Sequence, residues 1–442
     1  MKRYPEYRKS GLDWIGEIPT HWEMKKIKHT QSNLVGGIWG EEPEENANDI
    51  YCIRVADFNY EQLTISTHNL TLRNIALKEK DKRILKNYDL LVEKSGGGEK
   101  SPVGKIVMFN AEISRRSVTS NFITKFTVKS GSCFPKYVLY CLCFFYHIGL
   151  TRKHIKQTTG IQNLDIDSYF QEKIPLPSLV EQRQIANFLD RKIEQIDELI
   201  RLKERQIELL QEQRTALINQ VVPKGLDPNV EMKPSGVEWI GDIPAHWEVR
   251  RNKRIFRERD DRSETGEEEL LTVSHITGVS PRAEKKNVGM FLAETLEGYK
   301  HCSVGNLVIN TMWAWMGALG VSSFDGIVSP SYNVYQLKSS EYVPKYYDYL
   351  YRTPNHIKEI IRWSKGIWHS RWRLYPDAFF SMSAITPSFN EQAKIVDFLN
   401  CKNKQIDELI AAEQRKIQLL KEYRQSLISE AVTGKIDVRN EV

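Results

Sequence analysis

The sequence predicts an α+β chain: two mixed α/β domains joined by two long helices that pair as an antiparallel coiled coil, with an internal pseudo-two-fold repeat. Three observations predict it. One segment occurs twice, as SGLDWIGEIPTHWE from Ser10 and SGVEWIGDIPAHWE from Ser235. A proline-led helix also occurs twice, as PSLVEQRQIANFLDRKIEQIDELI from Pro177 and PSFNEQAKIVDFLNCKNKQIDELI from Pro387. Both helices carry apolar heptads. The offsets are 225 and 210 residues, far beyond the roughly 20–50-residue periods of solenoids and propellers. The unit of duplication is therefore half a molecule, with similar ends and divergent middles.

The first domain is expected over 1–178. VGKIVMF from Val103 and NFITKFTV from Asn121 read as strands. FPKYVLYCLCFFYHI from Phe134 reads as a helix with Pro in its first turn. The first long helix follows over 179–222. Leu189, Ile196, Lys203, Leu210 and Leu217 recur every seven residues, interleaved with Ile193, Ile200, Ile207, Arg214 and Val221, which is the seam of a coiled coil. VPKGLD from Val222 supplies its stop. The second domain is expected over 223–388, with strands NLVIN from Asn306 and YNVYQL from Tyr332. VPKYYDYLYRTPNHIKEII from Val343 reads as helical. The second long helix and its tail take 389–442. Its seam is Leu399, Ile406, Glu413, Leu420 and Leu427, interleaved with Ile410, Ile417, Arg424 and Ala431. Each helix, at about 44 residues, reaches roughly 66 Å. A duplicated chain favours two-fold placement and so antiparallel pairing. Lys203 and Glu413, polar at equivalent seam positions, either help to fix register or snorkel to water.

At 442 residues each half is long enough to bury its own core. No apolar run can span a bilayer and no signal-peptide core opens the chain. Six cysteines form no CxxC pair or metal-ligand spacing, and read as reduced thiols of a cytoplasmic protein. Residues 1–178 carry 26 Lys and Arg against 20 Asp and Glu, whereas 179–222 carry 7 against 8. The basic surplus therefore sits in the first variable region and the helices are neutral. A surplus this small is compatible with nucleic acid but is equally that of an ordinary solvated surface.

Catalytic signatures are absent. SGGGEKSPVGK from Ser95 misses phosphate-loop spacing, because Glu99 stands where the first Gly belongs and Ile106 follows Lys105. No HExxH, GxSxG, GxGxxG or amino-methyltransferase Asn/Asp-Pro-Pro-Phe/Tyr motif occurs. No metal ligands or catalytic residues are assigned. His21 and His246 sit in Pro-containing turns beside Trp22 and Trp247 and read as structural. Trp14 and Trp239 read as packing anchors.

The candidate binding residues lie in loops of the variable regions. TTGIQNLD from Thr158 offers Gln162 and Asn163, suited to adenine. SKGIWHSRWRLY from Ser364 offers Lys365, His369, Arg371 and Arg373, the arginines suited to guanine. Ser95, Lys100 and Lys105 in the first glycine-rich connection, and Trp315 in the second, complete the set. Ordinary polar surface loops are the competing reading.

The duplicated WIGxIPxHW segment, joined to the duplicated PSxxEQxxIxxFLD/N helix and its IDELI heptads, resembles the specificity subunit of a type I restriction-modification system. The resemblance runs from Trp14 to Asp437. It implies two target-recognition domains, 1–178 and 223–388, each reading one half of a gapped, asymmetric site in double-stranded DNA. It implies a non-catalytic chain without cofactors of its own. Its implied partners are two methyltransferase subunits that use S-adenosylmethionine to modify adenine N6, and two endonuclease/translocase subunits that need ATP and Mg. No membrane partner is expected. The competing function is a coiled-coil scaffold that joins two protein-binding domains without reading DNA. A self-contained modification or restriction enzyme would need catalytic motifs that the sequence lacks.

Overall fold

The computed structural model describes residues 2–75, 83–110, 113–157, 160–284, 295–367 and 372–441. They form two compact units: Met1–Lys203 with Arg415–Val442, and Glu204–Gln414.

In the first unit the principal strands are β1 (Gln31–Gly36), β2 (Leu90–Glu93), β3 (Ser95–Gly96), β4 (Ile106–Met108), β5 (Ile123–Val128), β6 (Ile155–Gln157) and β7 (Gln162–Leu164). Four of them make an antiparallel sheet in the order β1-β5-β2-β4. Alternate side chains leave by opposite faces. Leu90, Val92, Ile106, Met108 and Phe126 enter the main core, while Leu91, Val107 and Ile123 enter a second cluster. Burial on both faces explains why Leu90–Val92 and Ile106–Met108 are continuous apolar runs. The strand expected from Val103 begins only at Ile106. Gly104 has φ +102°, and a Cβ there would lie 3.0 Å from the Thr151 side chain. Helix α1 (Pro135–His147) starts with Pro in its first turn and buries Tyr137, Val138, Cys141 and Phe145 in the main core.

The second unit repeats the plan with β8 (Phe256–Arg259), β9 (Leu307–Asn310), β10 (Leu319–Val321) and β11 (Tyr332–Leu337). Its sheet, β8-β11-β9-β10, has the same chain order as the first. The single helix expected from Val343 is two. They are α3 (Pro344–Tyr351) and α4 (Pro354–Trp363), with Thr353 extended at φ −68°, ψ 147° between them. Pro354 lacks the N–H that would continue α3, and its ring pushes Thr353 out of helical conformation.

The long helices are α2 (Leu179–Lys224) and α5 (Phe389–Val432). Pro223 lies inside α2, and the stop is Gly225, at φ +82°. A Cβ on Gly225 would come 3.2 Å from the Trp247 ring; one on Gly434, at φ +72°, would come 2.4 Å from Pro19 and 3.1 Å from Trp22. In the first unit Arg424 pairs with Asp197 at 3.0 Å, and Gln184 donates to the Arg439 carbonyl at 3.4 Å. The segments 179–203 and 415–439 therefore run in opposite directions. In the second unit Arg214 pairs with Asp407, and Val221, Val222, Ile395 and Leu399 share one core. Of the heptad positions, Leu189, Ile193, Ile196, Ile200, Leu399, Ile406, Glu413 and Leu427 are buried. Lys203, Ile207, Leu210, Leu217, Ile410, Ile417 and Leu420 are half-buried. Leu199, Leu209, Leu409 and Leu419, off the heptad, are about half exposed or more, at 46–63%.

The repeated motifs meet one another at the helix starts. Glu181 Oε1 accepts from Trp22 Nε1 at 3.1 Å, and Glu391 Oε1 from Trp247 Nε1 at 2.9 Å. His21 and His246 contact the same two carboxylates at 3.0 and 2.7 Å. Gln182 and Gln392, both wholly buried, accept from the Phe134 and Val343 amides at 2.8 Å and donate to the Pro177 and Pro387 carbonyls. Tyr137 and Tyr346 donate to the carbonyls of Val432 and Val222 at the ends of α5 and α2. Each unit thus clamps one helix start and one helix end with the same residue types. All six cysteines are free thiols.

Candidate nucleic-acid interface

In the first unit the candidates converge on the sheet β3-β7-β6. The buried strand β2 delivers the chain to Ser95 and Gly96, which pair with Asn163 and Gln162. Gly97 has φ +57°, and a Cβ there would lie 2.8 Å from the Val103 amide, so a bulkier residue cannot close this loop. Gly98 and Ser101 exchange two backbone hydrogen bonds of 3.0 and 3.1 Å, which presents Glu99 and the exposed Lys100 at a tight tip. Ser95 Oγ donates to Asn163 Oδ1 at 2.6 Å, and the Val103 amide donates to Gln162 Oε1 at 3.3 Å. Gln162 is 8% exposed, so a base contact through its carbonyl would displace that bond. Lys105 lies 4.1 Å from the centre of the Tyr60 ring.

Sequence reasoning missed Glu93, buried at the end of β2. Burial pushes its carboxyl up to about 7, against the opposing pull of Lys105. The Glu-Gln pairs at the helix starts were also missed as clamps. Their identical recurrence, EQ after PSxx in both copies, was the signal available.

In the second unit Lys365 and Arg373 exchange two backbone hydrogen bonds, 3.0 and 2.9 Å, and both side chains are exposed. The Leu374 amide then donates to the Thr311 carbonyl, just beyond β9. The first unit has the same junction, from the Leu164 amide to the Lys94 carbonyl just beyond β2. Trp315 Nε1 donates to the Met312 carbonyl, and its ring stacks on Trp313 and meets Trp372 edge-on. The structure therefore gathers Trp315, Lys365 and Arg373 in one place. His369 and Arg371 lie outside the described residues, as do Trp368, Thr158 and Thr159. Trp313 was another residue that sequence reasoning passed over, although the doublet Trp-Ala-Trp marked it. Among the described residues no cluster of His, Cys, Asp and Glu could hold a metal ion, and no helix is long and apolar enough to cross a membrane.

Two α/β units share a sheet order, and each carries loops after an equivalent strand. The family model of the type I restriction modification DNA specificity domain matches residues 41–209. The putative type I restriction enzyme MjaX specificity subunit of Methanocaldococcus jannaschii is 25% identical over 239 residues, 53% of this chain and 52% of the relative. The MjaVIII specificity subunit of the same organism is 26% identical over 245 residues, 54% of this chain and 50% of the relative. The chain thus spans about half the length of the curated relatives it matches. Two solved structures share the fold at 14% identity. One, from a study of complex assembly and conformational transition in a type I R-M system, has a TM-score of 0.66 and covers 95% of this chain and 99% of that one. The other, the HsdS subunit from Thermoanaerobacter tengcongensis, has a TM-score of 0.52 and covers 95% and 98%. The family match is confined to residues 41–209, and the chain's resemblance to type I specificity subunits holds.

Proposed function

We propose that this chain is the DNA-reading, non-catalytic subunit of a type I restriction-modification complex. Residues 1–178 and 223–388 each read one half of a gapped, asymmetric site, and α2 and α5 pair as an antiparallel coiled coil that sets the gap. One observation carries the reading. The same strand, β2 or β9, followed by the same backbone junction, holds a glycine-rich loop in one unit and a tryptophan-rich loop in the other. A repeated frame with two different loops suits two different half-sites. Opposed helix directions in the first unit and the Arg214–Asp407 pair support the coiled coil. The two like clamps suit two copies of an adenine-N6 methyltransferase subunit, one for each DNA strand, and two endonuclease/translocase subunits complete the complex. S-adenosylmethionine, ATP and Mg serve those subunits. DNA contacts are assigned to Ser95, Lys100, Lys105, Gln162, Asn163, Trp315, Lys365, His369, Arg371 and Arg373, and a cytoplasmic location goes with this reading. Co-expression with the methyltransferase encoded beside it, followed by mapping of N6-methyladenine across the host genome, tests the reading. One gapped motif with a methylated adenine in each half is expected. A complex that co-purifies but leaves DNA unmethylated would favour the scaffold instead.

A further inference from the structure

The loops that follow β2 and β9 occupy one place in the repeated plan but present opposite surfaces. After β2 come Ser95 and three glycines, folded back on Val103. After β9 come Trp313 and Trp315. Trp313 is 49% exposed, yet it is held firmly. Its amide donates to the Asn310 carbonyl, and its own carbonyl accepts from the Met316 and Ala318 amides at 3.0 and 3.1 Å. Its ring lies 6.4 Å from that of Trp315 at an interplanar angle of 15°, an offset stack. Trp315 is fixed in turn by the edge of Trp372, 6.3 Å away, and by its own bond to the Met312 carbonyl. The exposed cation Arg373 follows Trp372 in the chain, and the exposed Lys365 is joined to it by two backbone hydrogen bonds. A flat apolar ring, ordered before any partner arrives and bordered by positive charge, fits an unstacked base beside a phosphate backbone. Such a ring has little freedom left to lose on binding, and apolar wedges of this kind part base steps and kink the duplex.

Building on the DNA-reading function above, we propose that the second unit recognises its half-site by stacking Trp313 on a base at a parted base step, and that the first unit inserts no ring into its half-site. Sequence preference in that half then comes partly from how easily the step opens, in addition to any contacts from Lys365 and Arg373.

The test uses the full chain in complex with its methyltransferase subunits. Duplexes of the mapped motif carry 2-aminopurine at each purine of both half-sites in turn. Apart from the adenines that become methylated and their neighbours, which the methyltransferases themselves turn out of the stack, a fluorescence rise on binding is expected at one step of one half-site and nowhere in the other. Trp313→Ala should abolish the rise and weaken binding roughly ten- to hundredfold, the usual loss when a stacked aromatic is removed. Trp313→Phe should keep the rise at the same step. Specific binding with no rise outside the methylated adenines and their neighbours, or a rise outside them that Trp313→Ala leaves unchanged, would overturn the wedge while leaving the DNA-reading function standing. Loss of the methyltransferase from purified Trp313→Ala complex would instead assign the ring to a protein contact. Absence of sequence-specific binding by the wild-type complex would overturn the reading beneath both.

Discussion

At the residue scale, the firmest consequences concern buried polar groups. Gln182 satisfies three backbone groups at once: the Phe134 amide and the carbonyls of Ser132 and Pro177. Gln182→Leu keeps the volume but strands all three, each at about 1–3 kcal/mol. The first unit should therefore lose at least ~3 kcal/mol, seen as a lower urea midpoint, while the exposed Gln211→Ala should leave the midpoint nearly unchanged. His356 is the complementary case. Desolvation lowers its pKa from 6.5 to about 3, so it stays neutral in the folded second unit. Its Nδ1 lies 3.1 Å from Thr353 Oγ1. The unfolded chain binds the proton below about pH 6.5 and the folded one does not. The stability held by neutral His356 is thus complete above pH 6.5 and is lost as pH falls from there toward 3. Between pH 7 and 5 the second unit should lose on the order of 2 kcal/mol. His356→Gln, measured by chemical denaturation at both pH values, should abolish that loss. An unchanged pH slope in the variant would assign it to other groups.

At the scale of elements, the heptads predict how α2 responds to length. Deleting Ile196–Leu202 removes two turns, about 10 Å of helix, and keeps the seam in register. The complex should then accept a shorter gap, or cease to bind, with its half-site preferences intact. Deleting four residues instead turns the seam away from its partner and should be worse. Methylome mapping of each variant reads the gap directly, and an unchanged gap at unchanged affinity in both would remove the helices from that role. The same elements explain what could be read from the sequence. The helices were legible because seven-residue spacing over more than thirty residues has few other meanings. β5 and β11 were legible because they are rich in β-branched and aromatic residues, and β9 because it is a short apolar run. The break at Thr353 was locally signalled by Pro354 but was hidden by the apolar periodicity on either side. Loop geometry at 95–101 and 311–316 was not legible. It depends on backbone bonds to residues far away in sequence, such as Leu164 to Lys94 and Leu374 to Thr311, which no local pattern encodes. The aromatic stack was half visible: composition marked the tryptophans, but only the fold brings Trp372 to Trp315.

At the scale of the whole molecule, the chain crosses between its units in a way that sets where damage is felt. The core of the first unit includes Leu427, Ile428, Ala431, Val432, Ile436 and Val438, all buried to 7% exposure or less. They are contributed by the far end of the sequence, after the second unit is complete. They pack with Trp22, Tyr137, Ile185 and Leu189 in that core. Removing Arg415–Val442 strips six buried apolar side chains from the first unit. At about 1.5–3 kcal/mol for each of the larger ones, that loss matches or exceeds the roughly 5–15 kcal/mol by which a domain is stable. It also removes the Val432 carbonyl that Tyr137 uses and the Arg424 partner of Asp197. The second unit keeps every residue of its own core. A chain ending at Gln414 should therefore keep only the melting transition of its second unit. The N-terminal 203 residues should be unfolded or cleaved under conditions where residues 204–414 resist protease. Limited proteolysis with mass spectrometry would locate the cuts. Protection of the first unit in the shortened chain would mean that its own residues suffice for its core, and cuts confined to the second unit would reverse the assignment.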